Sequence, residues 1–215
     1  MIDFLQQLDA DVLVAINSAH CAFLDTFMWI ATGRWIWVPF YAALLYMLVR
    51  RYGWRGALGL GLVIAAIIAM ADQTCSTLIR PMAERLRPAN LENELSAMLH
   101  IVNDYRGGAY GFPSCHGANT FALATFIILL TRSRALGWTI ALWALLNCYT
   151  RLYLGVHYPG DILVGGSIGA AIAAIAYYAM RYFVDMPKMR PDSHIAVPVA
   201  TAAATVAGIA IYALF

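Results

Sequence analysis

Residues 55–79 read RGALGLGLVIAAIIAMADQTCSTLI, and only Arg55 and Asp72 in that stretch are charged. A helix of roughly 20 apolar residues, rising 1.5 Å per residue, crosses the roughly 30 Å hydrocarbon core of a bilayer. The stretch therefore predicts a transmembrane helix, and the chain around it repeats the pattern. Runs at about 115–132, 136–154, 160–183 and 195–215 approach or meet the same length. A shorter sixth run, about 35–50, opens on Trp35 and Trp37, as an interfacial aromatic belt would. Over all 215 residues 62% are hydrophobic and 12% charged, against about 45–50% apolar in a soluble domain. This excludes disorder, collagen-like repeats and a disulfide scaffold. The reading is an all-α integral membrane protein with six transmembrane helices, forming a single domain over 1–215. Residues 34–215 form its transmembrane core, and 80–114 are an outer loop.

The first 33 residues differ. Phe4, Leu8, Val12 and Ile16 recur every four positions, with Asp3, Gln6, Gln7, Asp9 and Asp11 on other faces, which predicts an amphipathic helix lying on the membrane surface. Residues 21–33 are apolar but carry Asp25 and Gly33, which suits a segment that dips in without crossing; a seventh crossing is the alternative. The N-terminus lacks the basic start of a signal peptide, so no cleavage is expected.

Basic residues collect at Arg50–Arg55, at Arg132 with Arg134, and from Arg181 to Arg190 with Lys188, and the positive-inside rule assigns these corners to the cytoplasmic face. The connections 80–114 and 155–160 then face outward. The formal net charge is +2, with no basic stripe for a nucleic acid backbone. Cys21, Cys75 and Cys148 read as packing residues. Gly165, Gly166 and Gly169 allow another helix close approach, more within the chain than across a dimer seam.

Polar groups at membrane depth are costly and mark function by default. Here they gather at the outer ends of the predicted helices and in the loop between them: Arg80, Arg85, Arg87, Ser114, His116, Arg151, His157 and Asp161. Several guanidiniums around one site repel one another unless an anion neutralises them, and their planar forks match phosphate oxygens. Ser114, after Pro113, reads as an N-cap whose helix turns its free N–H groups toward the same anion. His157, with Asp161 four residues on to hold its tautomer, suits attack on phosphorus, and His116 suits protonation of the leaving oxygen. A metal on His116, His157 and Asp161 is disfavoured because the arginines repel a cation. His20, His100 and His194 receive no catalytic role. Asp72, beside Gln73 in mid-span, needs a polar partner, for structure or for mechanism.

The series Arg80-x6-Arg87-Pro88, then Pro113-Ser114-Cys115-His116, then Arg151-x5-His157-x3-Asp161 resembles the three-part signature of the type 2 phosphatidic acid phosphatase family. The resemblance implies a six-helix membrane phosphatase that uses no metal or other cofactor and forms a phosphohistidine. It implies His157 as nucleophile, Asp161 as its orienting partner and His116 as general acid, with Arg80, Arg87, Ser114 and Arg151 on the phosphoryl oxygens. Cys115 is counted with the phosphate-binding residues, although the family usually has Gly there, as it usually has Lys in place of Arg80. A thiol in such a pocket predicts sensitivity to thiol reagents.

An outward site in an apolar chain favours a lipid-linked phosphate or diphosphate, such as undecaprenyl diphosphate or lipid A, at the periplasmic face of a bacterial inner membrane. Phosphatidylglycerol phosphate or phosphatidic acid hydrolysis, phosphoryl transfer to another acceptor, and lipid-phosphate binding without turnover are the alternatives. Leu91, Leu95, Met98 and Leu99 share one helical face, which suggests a helix over 89–100 covering the entrance. Oligomeric state is not legible.

Overall fold

The computed structural model describes residues 2–184 and 194–215, and these are all-helical apart from turns and connections. Eight helices follow in order: α1 (Ile2–Ser18), α2 (Ala22–Ala31), α3 (Val38–Gln73), α4 (Arg80–Ala83), α5 (Cys115–Thr131), α6 (Arg134–Tyr153), α7 (Pro159–Phe183) and α8 (Ala196–Tyr212). The basic stretch from 185 to 190, including Lys188, lies outside the described residues.

The boundaries follow from local chemistry. Ser114 caps α5 by accepting from the Gly117 N–H at 3.2 Å, and Ser133 caps α6 through the Leu136 N–H at 3.4 Å. Pro159 opens α7, where its missing N–H has no helical partner to lose. A turn of π-helix, Thr74–Ile79, carries α3 on to α4, which ends at Glu84 with φ 44°.

By length and composition two helical stretches are able to cross a membrane, Trp35–Ala83 and Pro159–Phe183. Two shorter apolar helices, Cys115–Thr131 and Ala196–Tyr212, stand beside them. The expected loop at Arg50–Arg55 is instead a break inside α3, where Gly53 adopts φ 74° and ψ 170°. Only glycine enters that region without strain. A straight helix of about 36 residues would reach about 54 Å, well beyond a bilayer core, and the break divides it into two lengths. Helices α1 and α2 meet at 114° and would give a third, broken span only if taken together.

The core runs between α3, α5, α6, α7 and α8 and is filled by Trp37, Phe40, Phe126, Ile140, Trp143 and Tyr177. Its outside is apolar as well: Leu58, Leu62, Trp138, Leu142, Leu163 and Ile175 are all more than half exposed. Exposed surface of this kind belongs in lipid, so the protein is embedded in a membrane. At one end of the bundle Arg51 donates to the Thr131 carbonyl at 3.4 Å and Arg50 to His194 Nε2 at 3.3 Å, which brings the Arg50–Arg55 corner beside the end of α5 that precedes Arg132.

Helices α5 and α7 approach closest. A Cβ at Gly165 would fall inside the Ser114 carbonyl, and one at Gly169 inside that of Ala118. The small residues therefore serve packing within the chain. The connection 84–114 is not helical over 89–100 as its apolar spacing suggests; that stretch has one short 3-10 turn, Glu94–Met98, and a second follows at Val102–Asp104. Leu91 and Met98 are exposed rather than packed on an entrance.

Candidate active site

The first turns of α5 and α7 lie side by side, because the Ser114 N–H donates to the Asp161 carbonyl at 3.0 Å. Asp161 sits in the first turn of α7, fully buried, and the turn Gly155–Tyr158 before it presents His157, also buried. His157 Nδ1 lies 3.2 Å from Asp161 Oδ2. On the other side of the ring, Arg87 Nη1 lies 2.9 Å from His157 Nε2. A guanidinium only donates, so Nε2 is the acceptor and the proton resides on Nδ1, directed at Asp161. Burial first, then the charges of Arg87, Arg151 and Arg80, hold His157 well below the ordinary histidine range, and the ring is neutral. That leaves Nε2 with a lone pair facing the arginines.

Arg87 also donates to the Val156 carbonyl at 2.9 Å. Burial, with Arg151 and Arg80 nearby, lowers its pKa to about 10, so it remains a cation at neutral pH. Arg80 Nη2 donates to the Pro113 carbonyl and to Cys115 Sγ, both at 3.0 Å. Arg151, near the end of α6, reaches Thr32 Oγ1 at 3.0 Å and the Tyr105 hydroxyl at 3.1 Å. The structure thus brings Arg80, Arg87, Ser114, Arg151, His157 and Asp161 to one place, with His116 within electrostatic reach of Arg151, His157 and Arg87. Cys115 turns its thiol toward Arg80 and the Asp72 carbonyl, on the α3 side. Asp72 is itself satisfied by Asn119 Nδ2 at 3.0 Å.

The Nε groups of Arg80, Arg87 and Arg151 are buried and have no hydrogen-bond partner among the described residues. Such orphaned donors are expensive, more so on charged groups. Arg51, at the opposite end of the bundle, shares this feature, but among the described residues no second arginine there does.

Two further residues complete the arrangement: Arg85, which the sequence sets among the converging charges without a role, and Asp9, which it sets only on a polar face of the first helix. Arg85 donates to Asp161 Oδ1 at 2.9 Å and to Asp9 Oδ2 at 2.7 Å, and lies 3.9 Å over the Tyr158 ring. Asp9, on α1, also takes the Gly160 N–H at 2.6 Å. Four guanidiniums therefore face two carboxylates, and the surplus positive charge matches a phosphate dianion. A divalent cation on His116, His157 and Asp161 would meet that surplus of positive charge.

Beside the charged cluster lies a cavity of about 460 Å³ with His116, Asn119 and Asn147 at its polar side and Tyr41, Leu44, Leu48, Ile64 and Leu123 around it. Its aliphatic walls suit a hydrocarbon chain.

The family model of the PAP2 superfamily matches residues 54–185. A lipid A 4'-phosphatase of Bacteroides thetaiotaomicron is 44% identical over 222 residues, an alignment covering 100% of this chain and 99% of that protein. The crystal structure of Aquifex aeolicus LpxE shares the fold with a TM-score of 0.58 at 24% identity, over 78% of this chain and 93% of that one. That of a transmembrane PAP2 type phosphatidylglycerolphosphate phosphatase from Bacillus subtilis gives a TM-score of 0.62 at 20% identity, over 84% and 88% of the two chains. With three motifs converging on one anion-seeking pocket and the family model spanning them, this chain belongs to the PAP2 superfamily, as a membrane-embedded phosphatase.

Proposed function

We propose that this protein removes a phosphate from lipid A through a phosphohistidine, without a metal ion. The observation that carries the reading is the trio of buried Nε groups on Arg80, Arg87 and Arg151 that have no partner among the described residues, on three guanidiniums whose charges act on His157. Phosphoryl oxygens satisfy those donors, joined by the N–H groups of the first turn of α5 behind Ser114. His157 Nε2 then attacks phosphorus as the bond to the lipid oxygen breaks, and Asp161 stabilises the ring as it gains charge. His116, protonated once the bound phosphate offsets the arginine charge, gives that proton to the departing oxygen. Water next attacks the phosphohistidine, His116 takes a proton from it, and inorganic phosphate leaves with His157 restored.

Lipid A is preferred over undecaprenyl diphosphate because the Bacteroides relative aligns along essentially the whole chain. The aliphatic cavity beside His116 supports a lipid substrate.

In this reading the single domain, 1–215, crosses the membrane six times. The halves of α3 on either side of Gly53 account for two crossings, and α5, α6, α7 and α8 for the others. The basic corners face the cytoplasm, and the site opens to the periplasm of a bacterial inner membrane, with residues 1–33 at its surface. Support comes from the separation between the Arg51–Thr131 contact at one end of α5 and Ser114 at the other.

The test is phosphate release by purified protein, in chelator, from lipid A, undecaprenyl diphosphate, phosphatidylglycerol phosphate and phosphatidic acid, together with acid-labile phosphate trapped on the enzyme. Release from lipid A is expected, with label on wild type and none on His157→Ala. Turnover by folded His157→Ala would refute the nucleophile. Loss of turnover in chelator would refute the metal-free chemistry, and release from undecaprenyl diphosphate alone would refute the substrate.

A further inference from the structure

Away from the arginine pocket, three separate segments bring metal-binding side chains together. His20 follows α1, Asp25 lies in the first turn of α2, and His100 comes from the outer connection. One donor atom from each lies within 4.8 Å of the other two. His100 Nε2 is 2.9 Å from Asp25 Oδ2, and the His20 and His100 rings stack with centroids 3.8 Å apart and planes at 9°.

The surroundings hold two of the three groups in place. Buried Asn17 accepts the His100 N–H on Oδ1 at 2.7 Å and returns Nδ2 to the His100 carbonyl at 2.9 Å and the Tyr153 carbonyl at 2.7 Å. The Tyr153 hydroxyl donates to Asp25 Oδ1 at 2.6 Å, which leaves Oδ2 for the cluster. Carboxylates that bind metals are oriented by outer hydrogen bonds in the same manner. An ordinary His–Asp pair accounts for His100 and Asp25. It leaves the His20 imidazole with no hydrogen-bond partner among the described residues, while a nitrogen of that ring lies within 4.8 Å of both other donors.

We propose that His20, Asp25 and His100 bind a divalent transition metal, of which Zn²⁺ fits best. Two imidazole nitrogens and one carboxylate oxygen form a zinc-type donor set, too poor in oxygen for Ca²⁺ or Mg²⁺. Zinc bonds of about 2.0–2.1 Å set tetrahedral neighbours about 3.3 Å apart. The donors therefore close in by a side-chain rotation, which exposed His20 is free to make, and the fourth position opens to water. The ion takes no part in hydrolysis. It ties the outer connection to the corner between α1 and α2 and, through Tyr153, to the end of α6 that carries Arg151. The proposal shares no residue with the phosphatase reading and stands apart from it.

Untagged full-length protein, stripped with chelator and held in detergent micelles, is titrated with ZnCl₂ by calorimetry alongside His20→Ala, His100→Ala and His157→Ala. Wild type and His157→Ala are expected to bind one Zn²⁺ per chain, and the other two variants at least about tenfold more weakly. The thermal midpoint of wild type is expected to rise with zinc and that of His20→Ala to stay unchanged. His20→Ala decides the matter, because an exposed side chain is lost while the His100–Asp25 pair remains. Absence of stoichiometric binding by wild type, or undiminished binding by His20→Ala, overturns the proposal. Binding lost only in His157→Ala overturns it too, by assigning the ion to the phosphatase pocket.

Discussion

Replacing Arg85 by glutamine asks whether the carboxylate that orients His157 is itself held in place. Among the described residues, Asp161 Oδ2 has two partners, the Tyr158 N–H at 3.0 Å and His157 Nδ1 at 3.2 Å, while Oδ1 has Arg85 at 2.9 Å. A hydrogen bond to a charged group contributes about 1.5–3 kcal/mol. The Arg85 side chain is 25% exposed, so water replaces part of the interaction and the lower end applies, about 1.5–2 kcal/mol. If that energy is lost where His157 gains charge, kcat/KM falls about 10- to 30-fold. The loss falls on kcat, because Arg85 is engaged by Asp9 and Asp161 and is not free for phosphate. Asp9→Asn, which leaves the Arg85–Asp161 bond in place, has a smaller effect. The assay is initial-rate phosphate release from lipid A in mixed micelles, with folding checked by gel filtration and thermal unfolding. Undiminished kcat/KM in folded Arg85→Gln refutes the positioning role. A change confined to KM refutes it as well, by making Arg85 a direct phosphate ligand.

Gly169→Ala drives a methyl group into the Ala118 carbonyl, so α7 must lift from α5 at a cost of about 1–3 kcal/mol; a lower thermal midpoint and lower turnover are expected, and no change in either would refute the close crossing. Because His157 is held well below its ordinary pKa when folded, the unfolded chain takes up a proton below about pH 6.5 that the folded chain refuses. Stability then falls as pH drops, at up to about 1.4 kcal/mol per unit from this group, and denaturant titrations of His157→Gln should lack that slope. A small thiol reagent on Cys115, which Arg80 contacts at 3.0 Å, is expected to block phosphate release and to be slowed by bound lipid; complete labelling with unchanged release would remove Cys115 from the pocket.

That these charged residues gather was legible because they break a strong local rule. Arg80, Arg151 and Asp161 interrupt apolar runs, and nothing but a compensating partner makes that tolerable in a membrane. Spacing alone paired His157 with Asp161, since both flank one helix start. The basic corner at Arg50–Arg55 was legible as a break but not as its form, for a single left-handed Gly53 reverses nothing in composition. The outer connection was misread for a physical reason. Leu91, Leu95, Met98 and Leu99 satisfy a helical face, yet Asn90 Oδ1 takes the Glu92 N–H at 2.8 Å and Asn93 Oδ1 takes that of Leu95 at 3.1 Å. Asparagine side chains that capture nearby N–H groups compete with the helix and here prevail, with Pro88 just upstream.

The N-terminal helix shows where periodicity misdirects attention. Its apolar repeat, Phe4, Leu8 and Val12, is exposed, as a face turned to lipid would be. The face that docks on the rest of the protein is the other one, Asp9, Leu13 and Asn17 at intervals of four. Leu13 and Asn17 are buried, and Asp9 and Asn17 hold the Gly160 N–H and the His100 backbone. Polar residues on one helical face read as solvated when the partner is unknown, because a loop backbone offering N–H and C=O groups leaves no hydrophobic pattern of its own. In a membrane protein the surface that meets lipid carries the apolar stripe, so the opposite, polar stripe is where helix-to-site contacts are to be sought. Arg85 follows the same logic: it is one charge among several in an aperiodic stretch, and the arrival of Asp9 from α1 and Asp161 from α7 reveals it as the link between the N-terminal helix and the carboxylate beside His157.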